Sequence, residues 1–227
     1  MHSIPLGDSA LLIQLGDAID AATHARVRAA FDALSALRLP GVTDIVPAYT
    51  GIAVHYEPLS WVDSSHRGDR VTPYDIASRT LLDALAGLEA VAAPAVREVE
   101  IPVHYGGQDG PDLDHVARHT RLSASEVVAL HAAGEYTVYM IGFTPGFPYL
   151  GGLSARLATP RRASPRQRVP AGSVGIAGSQ TGVYPLETPG GWQIIGRTAE
   201  RLFRPELDPP TLLRIGDRVR FVAVSDA

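Results

Sequence analysis

The residues best suited to chemistry in this sequence are arginines that cluster in a Gly- and Pro-rich stretch. Residues 156–168 carry five arginines and no acidic residue, in a chain whose net charge is −4. The planar guanidinium forks of arginine match carboxylates and phosphates in shape and charge. The cluster is interpreted either as a site for an anion or a partner, or as a solvated basic loop. Its members are Arg156, Arg161, Arg162, Arg166 and Arg168.

Two missing residue types exclude several kinds of chemistry. The chain has no cysteine, and its 20 Lys+Arg positions are all arginine. Disulfides, thiolate nucleophiles and thiolate metal sites are therefore excluded. A P-loop, a protein kinase, a Schiff-base enzyme and a biotin carrier each need a lysine, so the chain alone performs none of these functions. The negative net charge argues against general nucleic-acid binding.

Three short patterns resemble known motifs but lack an essential part. His115 and His119 are spaced as on a zinc-binding helix, but the glutamate of that motif is absent, so an exposed helical face is the favoured interpretation. Ser179 does not stand in the Gly-x-Ser-x-Gly register of a nucleophile elbow. The glycines of residues 172–178 do not form a dinucleotide-binding fingerprint, and barrel turns explain them more simply.

The first part of the chain is predicted to be an α+β domain with the ferredoxin-like order β-α-β-β-α-β. Strand-like runs alternate with two segments of helical periodicity, which begin after Asp20 and at Thr72. The strand after the second helix, residues 99–103, can close this sheet or belong to the next domain. The predicted strands are residues 10–15, 42–48, 52–56 and 99–103.

A second domain is predicted from a change in sequence texture. We place the boundary at the small-residue segment around Pro94, which gives domains of residues 1–93 and 94–227. Two helices are expected at residues 112–119 and 124–132, the second with a capping box. Short strands separated by Gly- and Pro-rich turns then favour a closed β-barrel. Those strands are residues 136–141, 174–177, 192–196, 211–214 and 218–224.

The chain is expected to be cytoplasmic. No apolar run approaches the roughly 20 residues that cross a bilayer. Its first residues, MHSIPLGDSALL, lack the basic, apolar and small-residue parts of a secretory signal.

Long, specific motifs in the second domain resemble the family called allophanate hydrolase subunit 1, now mostly the 5-oxoprolinase B subunit, which includes the sporulation-kinase inhibitor KipI. The resemblance extends over essentially the whole chain. Its central motifs are GFTPGFPYLGGL at residues 142–153, ATPRR at 158–162, VPAGSVGIAG at 169–178, QTGVYP at 180–185 and PGGWQIIGRT at 189–198.

The resemblance implies an α/β N-terminal domain followed by a cyclophilin-like β-barrel, without prolyl isomerase activity. It also implies a subunit of an ATP-dependent 5-oxoprolinase that opens 5-oxoproline to L-glutamate. In that family, the B subunit works with the C subunit, which is a second barrel protein, and with the A subunit, which is a hydrolase. We expect ATP with Mg²⁺ at the level of the complex, no metal site in this chain, and no activity by the chain alone.

That reaction implies a pocket that stabilises an anionic oxygen on an amide activated by phosphorylation. The groups able to do so are interpreted as catalytic candidates, although no individual role is assigned: Arg161, Arg162, Gln180, Thr181 and Tyr184. Aromatic, turn and arginine residues of the same motifs are candidates for binding the substrate or a partner: Phe143, Pro145, Gly146, Phe147, Tyr149, Arg166, Arg168 and Arg197. A core role for the aromatic residues is the alternative.

Two other functions remain open at this point. A KipI-like regulator would bind and inhibit a sensor histidine kinase. A carboxyltransferase component would work with a biotin-dependent enzyme of the urea carboxylase type.

Overall fold

The computed structural model describes residues 1–62, 71–86 and 96–224. The chain divides into two compact units, Met1–Ala95 and Val96–Ala227. The predicted boundary at Pro94 lies outside the described residues. Within those ranges, no helix has both the length and the apolar character needed to span a membrane.

The first unit is a four-stranded antiparallel sheet with two helices. Its strand order is β1-β2-β4-β3. The strands are β1 (His2–Pro5), β2 (Ala10–Gln14), β3 (Val42–Pro47) and β4 (Gly51–Tyr56). Helix α1 (Ala21–Leu37) begins where Asp20 accepts a hydrogen bond from the backbone N–H of Thr23, and α2 (Pro73–Leu85) begins at a Thr72–Asp75 capping box. Both helices bury apolar residues at helical spacing, as predicted.

The ferredoxin-like order predicted for this sheet is not confirmed. The strand expected to close it lies instead in the second unit, as part of β5 (Glu98–Tyr105). The place beside β2 is taken by β1, which the sequence analysis did not predict. The physical reason is local: a turn at Gly7, whose φ is +70°, folds β1 directly back onto β2 as a hairpin.

The second unit contains the predicted closed β-barrel, with seven strands among its described residues. Their order around the barrel is β10-β7-β6-β13-β5-β12-β9. Besides β5 they are β6 (Tyr136–Ile141), β7 (Pro148–Gly151), β9 (Ser173–Ala177), β10 (Gln180–Val183), β12 (Gln193–Arg197) and β13 (Arg218–Ala223). Inward-facing residues such as Ile101, Val174 and Val219 form its buried core.

The structure corrects the predicted strand list at several points. Residues 211–214 form no strand; Thr211 makes one isolated bridge to Phe203, and Leu213 is buried in irregular chain. The sequence analysis missed β7 and β10, together with a two-stranded ribbon of β8 (Arg166–Val169) and β11 (Thr188–Gly190). These strands have only three or four residues, too few to show an alternating pattern among the Gly and Pro residues.

Helices α3 (Leu113–Thr120) and α4 (Ala124–Ala132) pack against each other and against the barrel. The predicted capping box is confirmed: the backbone N–H of Glu126 donates to the Ser123 hydroxyl, and the Glu126 carboxylate accepts from the Ser123 N–H. His115 and His119 lie on the exposed side of α3. Helix α3 matters for the site because Asp112 stands at its start.

Candidate functional site

A cluster of aromatic side chains lies beside the β8–β11 ribbon and forms the base of the candidate site. Phe147 is at its centre and is 1% exposed. Its ring meets the edges or faces of Tyr149, Tyr184 and Trp192, with centroid distances of 5.0, 5.3 and 5.4 Å. These T-shaped contacts are a favoured geometry for aromatic pairs. The cluster therefore holds its rings in fixed orientations.

The aromatic cluster borders a surface pocket of about 290 Å³. Its wall combines five aromatic residues with one arginine and several Gly and Pro residues: Phe143, Phe147, Tyr149, Arg161, Pro165, Tyr184, Pro189, Gly190, Gly191 and Trp192. Arg161 is the one charged residue among these described lining residues, which include no Asp or Glu. We call this feature the aromatic pocket. It suits a small ligand with an apolar body and a negative charge.

Backbone hydrogen bonds on both sides of Arg161 fix its position at the pocket. The Gln193 amide donates to the carbonyl of Pro160 at 2.9 Å. The backbone N–H of Arg162 donates to the carbonyl of Gly191 at 2.8 Å. Because both neighbours of Arg161 are held against the β12 region, its side chain starts from a defined backbone position.

The next arginines along the chain are engaged by a buried carboxylate. Asp112, which is 4% exposed, accepts hydrogen bonds from Arg162 at 3.1 Å and Arg166 at 2.8 Å through Oδ1. Its Oδ2 accepts from the backbone N–H of Ile194 at 2.7 Å. We call this set the Asp112 clamp. It joins α3, the arginine-rich loop and β12, so Arg162 and Arg166 have a positioning role in the folded chain.

The two tyrosines of the pocket stay protonated at neutral pH. Burial raises the pKa of the Tyr149 hydroxyl, and the positive charge of Arg161 partly offsets that rise. Burial likewise raises the pKa of Tyr184, opposed by a backbone hydrogen bond from Trp192 and by Arg161. A protonated phenol donates a hydrogen bond, so both groups can face an anion or a carbonyl oxygen.

Phe143 differs from the other aromatic residues of the pocket. Its side chain is 66% exposed and its ring lies 5.7 Å from that of Phe147. Its backbone φ is +70°, a left-handed conformation that is unfavourable for a bulky residue. A strained residue that holds an apolar ring in solvent at a pocket rim is a functional candidate.

The other predicted residues lie in different places. Gly146 is buried with φ +81° and forms the turn with Pro145 before β7, and an added Cβ there would lie 3.1 Å from Phe203. Arg168 pairs with Glu187 on the exposed face of the ribbon. Arg197 donates to the carbonyl of Ala171 and lines a separate pocket. Gln180, in β10, does not line the aromatic pocket.

Thr181 belongs to a hydrogen-bond network inside the barrel, together with a histidine that the sequence analysis did not identify. Its hydroxyl donates to the carbonyl of Gly175 at 3.0 Å and lies 2.9 Å from Nε2 of His131. His131 Nδ1 lies 2.7 Å from the Tyr105 hydroxyl. Since the threonine proton is used by Gly175, the chain of bonds requires a proton on Nε2 and makes Nδ1 the acceptor. Complete burial lowers the pKa of His131 to about 3.

Sequence reasoning also missed Asp112 and Trp192 as site residues. Both stand in recognised motifs, Gly110-Pro111-Asp112 and Gly190-Gly191-Trp192. An acid directly before a helix, in a chain with a remote arginine cluster, was the available signal for Asp112. Among the residues that the structure describes, no group of three or more His, Cys, Asp or Glu is arranged to hold a metal ion.

Comparison with known proteins identifies the class to which this fold and pocket belong. Residues 1–213 match the family model of the carboxyltransferase domain, subdomain C and D. The 5-oxoprolinase B subunit of Bacillus subtilis is 48% identical over 221 residues, which are 97% of this chain and 92% of that protein. The chain therefore belongs to the carboxyltransferase domain family, subdomains C and D, and within it to the B subunits of 5-oxoprolinase. The family resemblance predicted from the motifs is thus confirmed.

Solved structures place the same fold in longer chains. The structure of TTHA0988 is 38% identical with a TM-score of 0.79, and the match covers 96% of this chain but 40% of that one. The chain thus spans about two fifths of that solved protein. Urea carboxylase of Kluyveromyces lactis has a TM-score of 0.71 over 98% of this chain and 22% of its own. At 17% identity, the latter match shows the fold alone.

Proposed function

We propose that this protein is the B subunit of an ATP-dependent 5-oxoprolinase that opens 5-oxoproline to L-glutamate together with the C and A subunits. The observation that carries the proposal is the 48% identity to the 5-oxoprolinase B subunit of Bacillus subtilis along 97% of this chain. Such a match over both units supports a shared role better than a match confined to the barrel would. In two solved structures the matching region is part of a longer chain, which supports a role in a larger assembly.

The chemistry divides between what this chain offers and what the complex must add. Opening the lactam requires transfer of a phosphoryl group from ATP to the carbonyl oxygen, after which water breaks the C–N bond. The aromatic pocket offers one guanidinium, two phenol donors and walls that limit contact with water. We assign ATP with Mg²⁺ to the complex as a whole, and no residue of this chain is assigned to it.

Reconstitution tests the proposal directly. The purified chain should form no glutamate from 5-oxoproline and ATP. Addition of the C and A subunits should give glutamate and ADP in a reaction that needs ATP, and the controls omit each subunit in turn. Robust turnover by the chain alone would exclude a role as an accessory subunit. An assembled complex that hydrolyses no 5-oxoproline would exclude the substrate.

A carboxyltransferase component is the second candidate, favoured by the family model, whose description is a carboxyltransferase domain. In that case the chain should support biotin-dependent carboxyl transfer when it is mixed with a biotin carboxylase and its carrier. The KipI-like inhibitor of a sensor histidine kinase stays a prediction, tested by the effect of the chain on kinase autophosphorylation. Activity in one of these assays and none in the oxoprolinase assay would reassign the function.

A further inference from the structure

We propose that the aromatic pocket is the site at which 5-oxoproline binds, with Arg161 as the partner of its carboxylate. The inference rests on the proposed function for the identity of the ligand, a five-membered lactam that carries one carboxylate. It goes further because it places substrate recognition in the present chain and assigns the recognition of charge to a single residue.

The distribution of charge around the pocket supports an anionic ligand. Arg161 is the sole charged side chain among the described lining residues. Arg162 and Arg166 stand next to the pocket loop but share the single carboxylate of Asp112, which leaves the neighbourhood with excess positive charge. The influence of Arg161 on the pKa of both Tyr149 and Tyr184 shows that its charge reaches both hydroxyls. An anion in the pocket would therefore meet a guanidinium that no lining carboxylate neutralises.

The size and shape of the pocket support a small, flat ring. Its volume of about 290 Å³ is at the lower end of the range for small-molecule pockets, about 300–1,000 Å³. The rings of Phe147, Tyr184 and Trp192 are locked by their mutual edge contacts. At Gly190 an added Cβ would lie 2.3 Å from the Tyr184 hydroxyl, so only glycine lets that hydroxyl reach its position. These rigid walls fit a ligand with little conformational freedom.

The contrast between Arg161 and Arg162 explains why the first is assigned to the ligand. Arg162 is committed to the Asp112 clamp and donates its backbone N–H to Gly191. Arg161 takes its backbone position from that clamp and presents its side chain to the pocket. A cation placed in advance loses little freedom when it binds a carboxylate, which favours affinity.

The lactam group has complementary partners in the same pocket. Tyr149 and Tyr184 stay protonated and can donate to the ring carbonyl oxygen, whose negative charge increases when it attacks a phosphoryl group. A side chain of another protein in the complex is the competing occupant of the pocket, and the experiment below separates the two.

The two tryptophans of the chain allow a direct binding measurement. Trp192 lines the pocket and Trp61 lies in the first unit, so a Trp61→Phe background leaves Trp192 as the sole reporter. Titrations would compare 5-oxoproline with 2-pyrrolidinone, which has the same ring without the carboxylate. The parent should bind 5-oxoproline at least about 10-fold more tightly, since hydrogen bonds to charged groups are worth that much.

Arg161→Gln should abolish this preference and leave the affinity for 2-pyrrolidinone unchanged. Arg168→Gln is the matched control, because Arg168 is exposed and paired with Glu187 away from the pocket, and it should bind as the parent does. Equal binding of the two ligands by the parent, or a preference retained in Arg161→Gln, would overturn the assignment. Loss of 5-oxoproline binding on addition of the C subunit would also overturn it, since a partner then fills the pocket.

Kinetics of the reconstituted complex separate this inference from the proposed function. Arg161→Gln should raise the KM for 5-oxoproline about 10-fold or more, with a smaller change in the KM for ATP. A complex that opens 5-oxoproline with an unchanged KM would refute the pocket assignment and leave the function intact. An Arg161-dependent ligand preference in a complex without oxoprolinase activity would refute the function and retain a carboxylate site.

Discussion

At the scale of single residues, burial decides what each ionisable group can do. Arg161, at the aromatic pocket, keeps its charge available for a ligand, whereas Arg162 gives its charge to Asp112. His131 is the opposite extreme: it is completely buried, stacks on Phe221 at 4.6 Å, and is held neutral by two hydrogen bonds. Its ring serves the barrel core and remains far from the chemistry of an ordinary surface histidine.

The neutral state of His131 predicts a pH dependence of stability. Its pKa is about 3 in the folded barrel, whereas an unfolded histidine has a pKa of about 6.5. Between these values the unfolded state binds a proton that the folded state does not, so stability falls as pH falls below about 6.5. The contribution is up to about 1.4 kcal/mol per pH unit.

Urea denaturation followed by Trp192 fluorescence between pH 7 and pH 4 measures this slope. His131→Gln should be less stable at pH 7 and should have a shallower slope than the parent. His24, whose pKa burial lowers to about 4, contributes with the same sign in both proteins and cancels in the comparison. An identical slope in the variant, or an imidazole of His131 that titrates near pH 6 by NMR, would contradict the prediction.

At the scale of elements, the Asp112 clamp is the connection that builds the site. Asp112 stands at the N-cap of α3, but its side chain makes no capping hydrogen bond. It is used instead to hold Arg162, Arg166 and the N–H of Ile194. One carboxylate thereby sets the position of the arginine-rich loop relative to β12, and with it the position of Arg161.

Asp112→Asn should lower the free energy of unfolding by about 2–3 kcal/mol. Loss of one partner from a fully buried ion pair costs about 3–5 kcal/mol, and the partial exposure of both arginines reduces that cost here. The matched control is Asp114→Asn on the exposed face of the same helix, which should cost less than about 1 kcal/mol. Equal and small losses in the two variants by urea denaturation would show that the clamp contributes little.

At the scale of the whole molecule, the loop of residues 142–148 presents one apolar side chain to solvent and buries another. Phe147 is the centre of the aromatic cluster, so the alternative of a core residue holds for it in this structure. Phe143 remains exposed on strained backbone at the pocket rim. Within the proposed complex, Phe143 is therefore the better candidate for a contact with the C subunit.

The pair Phe143→Ala and Phe147→Ala separates assembly from folding. Phe147→Ala should lower the stability of the isolated chain by about 3–5 kcal/mol, as for other buried phenylalanines. Phe143→Ala should change that stability by less than about 1 kcal/mol, and should cost about 2 kcal/mol in association with the C subunit. Thermal denaturation and calorimetric titration measure the two effects. Undiminished association of Phe143→Ala would remove this residue from the proposed interface.

Local patterns in the sequence were sufficient for the helices, the capping boxes and the presence of a barrel. Helix α4 illustrates why: its Ser123–Glu126 box and apolar spacing involve residues within one or two turns. The aromatic and arginine candidates were also found by type, because long motifs of unusual residues mark them. What the sequence left open was which of those residues share one site.

Tertiary structure alone decided three matters, each of which depends on residues far apart in the chain. The strand of residues 98–105 joined the barrel because it pairs with β13, more than 100 residues later, while β1 took its expected place in the first sheet. Asp112 and Arg162, 50 residues apart, became partners, which left Arg161 to face the pocket. Burial separated Phe147 from Phe143, although both have the same side chain. Pairing across such distances depends on how the whole chain packs, and no local pattern records it.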